Sequence, residues 1–380
     1  MTLILFVILI TYGIVGVPNT EGKYAFSKKW GELGTGGGEF NNPGGVAVSH
    51  SGILYVADTG NNRIQQFRLA TPCPSGTSQI VTGVCFVKTW GALGTGNGQF
   101  NNPSDVAIDS SERVYVADTG NNRIQMFRDN GNFIRAWNAD GPGTTQFTHL
   151  TDVSVDTSSG EIFVADSRDG QGLIHKFRLA NPCPAGTTQV AKGICFSDRF
   201  TYGEIPEVPP DPLYSILGVE VNPITHDVYV SNYVDIQHPP DGDEYWIIRK
   251  GVDGQLIRSW GGTVSGFNGK FDRPSGIAIG PSGLVYVADG GNNRIQAFQQ
   301  TLPCPVGTTQ IAIAVCLYSK WGTQGSADGQ FSGPKDVSVG GPLGHIFVAD
   351  TGNHRIQEFY WKTDVGGPIG GGIEPNIAVK

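Results

Sequence analysis

At 380 residues, with 55 glycines, 23 prolines and only 16% charged residues, the chain is turn-rich and could hold one large body or two domains. Its formal charge of −8 and the lack of any Lys/Arg run longer than two residues argue against nucleic acid, whose phosphates require clustered cations. No segment keeps a helical period. Short Val/Ile/Tyr/Phe runs between Gly, Asn and Pro clusters recur instead, so the expected fold class is all-β.

In chain order, Leu3 to Val17 is almost wholly apolar and short for a membrane span. With polar Pro18 to Gly22 behind it, residues 1–22 have the build of a signal peptide or an N-terminal hydrophobic anchor. No Lys or Arg precedes the apolar stretch, which keeps the anchor open. The chain is therefore expected to be secreted or extracytoplasmic, and to meet a membrane only if that segment is retained. Residues 23–363 are expected to form one body, and 364–380 a flexible Gly-rich tail.

Within that body one string returns: YVADTGNNRIQQF at Tyr55, YVADTGNNRIQMF at Tyr115, FVADSRDGQGLIHKF at Phe163, YVADGGNNRIQAF at Tyr286 and FVADTGNHRIQEF at Phe347. A weaker copy begins at Tyr229. The second copy reads most clearly. Val106 to Asp109, Val114 to Ala117, Ile124 to Phe127 and Phe133 to Trp137 are four short strands separated by turn residues, and Phe100 is a buried anchor in the loop before them. Four strands per unit describe a propeller blade, and the corner residues Asp58, Asp118, Asp166, Asn232, Asp289 and Asp350 count six. The last blade lacks a fourth strand, while Tyr24 to Gly31 (YAFSKKWG) matches the fourth strands of other blades. The N-terminal strand is thus expected to close the ring and remove both sheet edges.

All six cysteines fall in three copies of one Cys-Pro-x-Gly-Thr-x-Gln hairpin. Fifteen pairings are formally open. Three copies of one spacing favour local bridges, Cys73 to Cys85, Cys183 to Cys195 and Cys304 to Cys316, each worth on the order of 3 kcal/mol. Metal ligation is disfavoured because no Cys-x2-Cys element is present. Disulfides also fit export.

The strings GTGNGQFNNPSDVAI and VYVADTGNNRIQMF resemble NHL repeats, and everything after the leader is similar to a six-bladed NHL β-propeller. The resemblance implies the fold and several alternative roles: protein binding, RNA binding, sensor ectodomains, or the peptidyl-α-hydroxyglycine amidating lyases. In those lyases zinc-holding histidines follow the proline that opens each inner strand. Here the matching residues are Gly44, Ser104, Thr151, Ser275 and Lys335, so the resemblance does not carry that activity across.

Three candidate sites follow. The Asp and Arg of the corners (Asp58 with Arg63, Asp118 with Arg123, Asp289 with Arg294, Asp350 with Arg355) recur too often for one ligand, and are expected to be structural, the Arg buttressing the neighbouring blade. Asp105, Asp152, Glu220 and Asp336 start their inner strands and would ring the channel mouth, as a solvated acidic rim or as hard oxygen ligands for Ca²⁺ or Mg²⁺. The fourth blade departs from the pattern. Its corner offers aromatic Tyr233, His238, Tyr245 and Trp246 beside Asp235, Asp241 and Asp243, a mixture suited to protein or glycan contact. The expected function is a protein- or glycan-binding module rather than an enzyme, with no nucleic acid partner. The alternative is a metal-assisted lyase or hydrolase at the acidic mouth.

Overall fold

The computed structural model describes residues 23–138, 146–168, 171–201, 213–235 and 243–362. These form six antiparallel sheets. Their innermost strands are Val46–Val48, Pro103–Ile108, Leu150–Val155, Leu213–Val221, Pro274–Ile279 and Asp336–Gly340. Each innermost strand packs against the next and the sixth returns to the first, so blades 1 to 6 close a ring. The leader and the tail lie outside the described residues.

Closure occurs where the sequence places it. Lys23–Trp30 pairs antiparallel with Arg355–Lys362, with Tyr24 opposite Trp361 and Trp30 opposite Ile356. Blade 6 therefore takes its outer strand from the beginning of the chain and the other three from its end.

The core lies between blades. Strand side chains alternate between the two faces of a sheet, so each face must be covered by the next sheet. Tyr55, Ala57 and Ile64 of blade 1 thus meet Phe100, Val106 and Phe127 of blade 2, all buried. Burying each such aromatic contributes roughly 1.5–3 kcal/mol. The Trp-Gly pair ending an outer strand has its own cause. Gly91 sits at φ +103°, and a Cβ there would come within 2.5 Å of the Phe100 ring.

Blades 1, 3 and 5 gain a fifth strand. Ser78–Val81, Thr188–Ala191 and Thr309–Ala312 each pair outside the fourth strand of their sheet. Cys73–Cys85, Cys183–Cys195 and Cys304–Cys316 are bonded, each with Cα atoms 5.6 Å apart, which bears out the local pairing. Each hairpin leans back on the preceding blade, Arg135 and Arg258 reaching the carbonyls of Lys192 and Ala314.

Candidate functional site

The corner is a closed polar network. In blade 2 the fully buried Asp118 carboxylate accepts hydrogen bonds from Asn101 N (2.8 Å), Asn121 Nδ2 (2.9 Å), Arg123 Nε (2.7 Å) and Gln125 Nε2 (3.0 Å). The remaining Arg123 nitrogens donate to the carbonyls of Thr95, Gly96 and Gln99. Blades 1, 5 and 6 repeat this clasp around Asp58, Asp289 and Asp350. The structural expectation holds with one correction. The arginine ties down the loop that enters its own blade; it does not buttress the neighbour. The link to the next blade comes from the left-handed residue after the turn: Asn62 Oδ1 accepts from Asn102 N at 2.8 Å, and His354 Nδ1 from Asn42 N at 3.0 Å.

Inside this corner face lies a central depression of about 570 Å³. Gly44, Ser104, Thr151, Ser275 and Lys335 line it, and the register adds Leu217 as the fourth-blade member of that set. Asp105, Asp152 and Asp336 form its floor, while Arg273 and Lys335 supply positive charge at its rim. Below it, a channel of about 220 Å³ continues between the inner strands.

The four carboxylates do not share one ring. Asp105, Asp152 and Asp336 pair with the alanine before the corner residue. In blade 4 that place belongs to Gly218, opposite Ser231, and Glu220 lies two residues further on. The bulge between Ile216 and Gly218 is not the cause, because blades 2 and 3 carry the same shift between Pro103 and Asp105 and between Leu150 and Asp152; blade 4 has glycine at the mouth position and its acid two residues on. Glu220 therefore faces the channel together with Ser154, whose Oγ donates to it at 2.7 Å. Among the described residues no set of three or more His, Cys, Asp or Glu converges closely enough to hold a metal ion.

What these acids do is visible in their partners. Asp336 accepts from Val46 N of blade 1 (2.7 Å), Asp152 from Val219 N of blade 4 (2.6 Å) and Asp105 from Val153 N of blade 3 (3.3 Å). Each satisfies a backbone donor on the channel edge of the following blade. Burial, then the neighbouring charge of Asp152, pushes Asp105 well above the usual carboxylate range, and the two carboxyls share a hydrogen bond. Burial likewise raises Asp152 and Asp336, and lifts Glu220 to about 8.

The fourth-blade corner is more closed than expected. Tyr245 is 6% exposed, within the cluster between blades 4 and 5. Trp246 is half-buried against the cluster between blades 3 and 4, its Nε1 donating to Glu244 at 3.0 Å. Tyr233 packs against Tyr245 with the rings tilted by 34° and their centroids 5.2 Å apart, and donates to Asp243 at 3.1 Å. Tyr233, Asp243, Tyr245 and Trp246 do come together, but the aromatic rings serve mainly as core. His238, Asp241 and the Asp235 side chain lie outside the described residues. Asn232 is fully buried, and neither amide atom has a hydrogen-bond partner among the described residues. By register Trp246 stands where regular blades have the clasp arginine, and Ile248 where they have the glutamine.

Two features escaped the sequence reasoning. His175 takes the glutamine position of blade 3, fully buried with Nε2 3.5 Å from Asp166 Oδ2; aligning LIHKF with RIQMF would have found it. The other is a row of exposed apolar tips in equivalent loops of the corner face: Leu33 (64% exposed), Leu93 (67%), Val264 (42%) and, three residues after it, Phe267 (80%).

A family model for the NHL repeat matches residues 40–67, 100–127, 271–298 and 331–359, the segments of blades 1, 2, 5 and 6. Human NHL repeat-containing protein 3 is 36% identical over 101 residues, a quarter of each chain. Human teneurin-4 is 34% identical over 99 residues, 23% of this chain and 4% of that protein. The chain thus spans a quarter or less of the length of these relatives. Among solved structures, a protein of unknown function from Bacteroides thetaiotaomicron superposes with a TM-score of 0.56 over 90% of this chain and 76% of its own, at 12% identity. That likeness concerns the fold alone.

Proposed function

The chain is an NHL-repeat β-propeller, and from that premise we propose that it works outside the cytosol as a binding module, engaging a protein through its corner face. One observation carries this: Leu33, Leu93 and Val264 stand exposed at equivalent places on the face that holds the 570 Å³ depression, with Phe267 exposed in the same loop as Val264. Single exposed leucines mean little on a soluble protein. Repetition of the position in three blades makes them a discontinuous apolar rim around a polar centre, the layout of a contact surface. Arg273 and Lys335 add positive charge beside it. The three disulfides support an oxidising compartment. A glycan is the alternative ligand.

The test compares capture from native extracellular and membrane fractions, and binding to a glycan array, for three forms of the chain. A Leu33→Glu, Leu93→Glu, Phe267→Glu variant should lose the partner that the unaltered chain retains. An Ile224→Glu variant, altered on the opposite side of the ring, should keep it. If the triple variant binds as before, the corner face is not the interface. Array signal without protein capture would make the ligand a glycan.

A further inference from the structure

In five blades the outer strand follows its own third strand along the chain, through a tight turn in blades 2 and 4 and through a disulfide-bonded hairpin in blades 1, 3 and 5. Blade 6 differs: Lys23–Trp30 arrives from the far end of the chain and is held by its contacts alone. It can leave its sheet without breaking any connection within that sheet. Departure would bare the Arg355–Lys362 edge and open the ring.

A buried carboxylate faces this strand. The Glu358 side chain is 3% exposed, with Lys28 Nζ at 3.4 Å, Ser27 Oγ at 3.5 Å and His345 Nδ1 at 2.5 Å. Ser27 and Lys28 lie on the closing strand and His345 on the second strand, so one carboxylate joins three of the four. Gln66, Met126, Lys176, Arg249 and Ala297 hold the equivalent place elsewhere, and blade 6 alone has an acid there. Among the described residues the strand's other ion pair, Lys29 with Asp328, is exposed and contributes little. We propose that Lys23–Trp30 is a releasable strap, and that Lys28, Glu358 and His345 are the catch that keeps it shut. Removing the lysine strands a buried negative charge, whereas removing both charges does not.

Amide exchange of the full chain, followed by mass spectrometry, tests the catch. Lys28→Met should speed exchange in Lys23–Trp30 and Arg355–Lys362 on the order of a hundredfold, with blades 2 to 5 unchanged. Adding Glu358→Gln to that variant should recover part of the protection, by removing the stranded charge, and leave the strap looser than in the unaltered chain. Lys176→Met, which breaks the Glu161 pair of blade 3, should leave the strap alone. Unchanged exchange in the strap, an equal rise in all blades, or additive single effects would overturn the proposal. Should Lys28→Met fail to fold, Glu358→Gln alone decides: local loosening of the strap supports the catch, and wild-type exchange refutes it.

Discussion

Blades 2 and 4 occupy the same ring and solve the corner differently. Blade 2 buries a carboxylate and meets it with four donors from the turn, the third strand and the incoming loop. Blade 4 keeps the strand pairing and replaces the set: Asn232 for the aspartate, Trp246 for the arginine, Ile248 for the glutamine. Strand pairing and inter-blade apolar contact are therefore enough to hold a blade in place. The polar clasp fixes a loop. Blade 4, which has lost the clasp, lies outside the segments that match the NHL repeat, as does blade 3.

Asp118→Ala is the sharpest way to break the comparison. It strands Arg123 and Gln125 in a buried network, and denaturant unfolding should report a loss of about 3–5 kcal/mol. Next comes the paired substitution Cys183→Ser with Cys195→Ser. The bridge spans 12 positions, and its loss should cost about 3 kcal/mol by the same measurement.

The channel carboxyls come third. Burial raises Asp105, Asp152, Asp336 and Glu220, the last to about 8. The folded form therefore keeps protons that the unfolded chain releases near pH 4. Stability is full below that value and is lost as pH climbs toward 8. Each retained proton steepens the loss by at most about 1.4 kcal/mol per pH unit, less where a carboxyl faces solvent in the channel. Melting temperature against pH should show this fall, and Glu220→Gln should flatten it; parallel curves would contradict the protonated state of Glu220. Smallest is Asn232→Ala. Its amide has no hydrogen-bond partner among the described residues, so removal should change stability by no more than about 1 kcal/mol, in the stabilising direction. A loss as large as that of Asp118→Ala would mean that blade 4 has a clasp after all.

Most of the ring was legible because it is repeated. Recurring corners gave the blade count, matching outer strands gave the closure at Tyr24, and three equal spacings gave the disulfides. Blade 4 resisted for physical reasons. Ile216 stands where four blades have the proline that opens the inner strand, so that landmark is missing and Glu220 reads as the mouth residue until strand pairing places Gly218 there. The burial of Tyr245 and Trp246 depends on which neighbouring sheet covers them, and an aromatic beside acidic residues reads as a surface until that sheet is placed. The exposed loop tips were missed for the opposite reason. Phe100 reads as the buried anchor of its loop, but Leu33 and Leu93 look like ordinary apolar positions, and only their exposure across from the buried Phe40 and Phe100 reveals them as tips.

Lys23 lies directly across from Lys362 on adjacent strands. A few added residues could join the two, and the chain could be cut instead at the tight turn of Arg128 to Gly131, where Gly131 N donates to Arg128 O at 2.9 Å. Such a circular permutant keeps every blade and relocates the seam to the second one. The position of the seam is then a property of how the polypeptide is threaded, separable from the propeller that it builds.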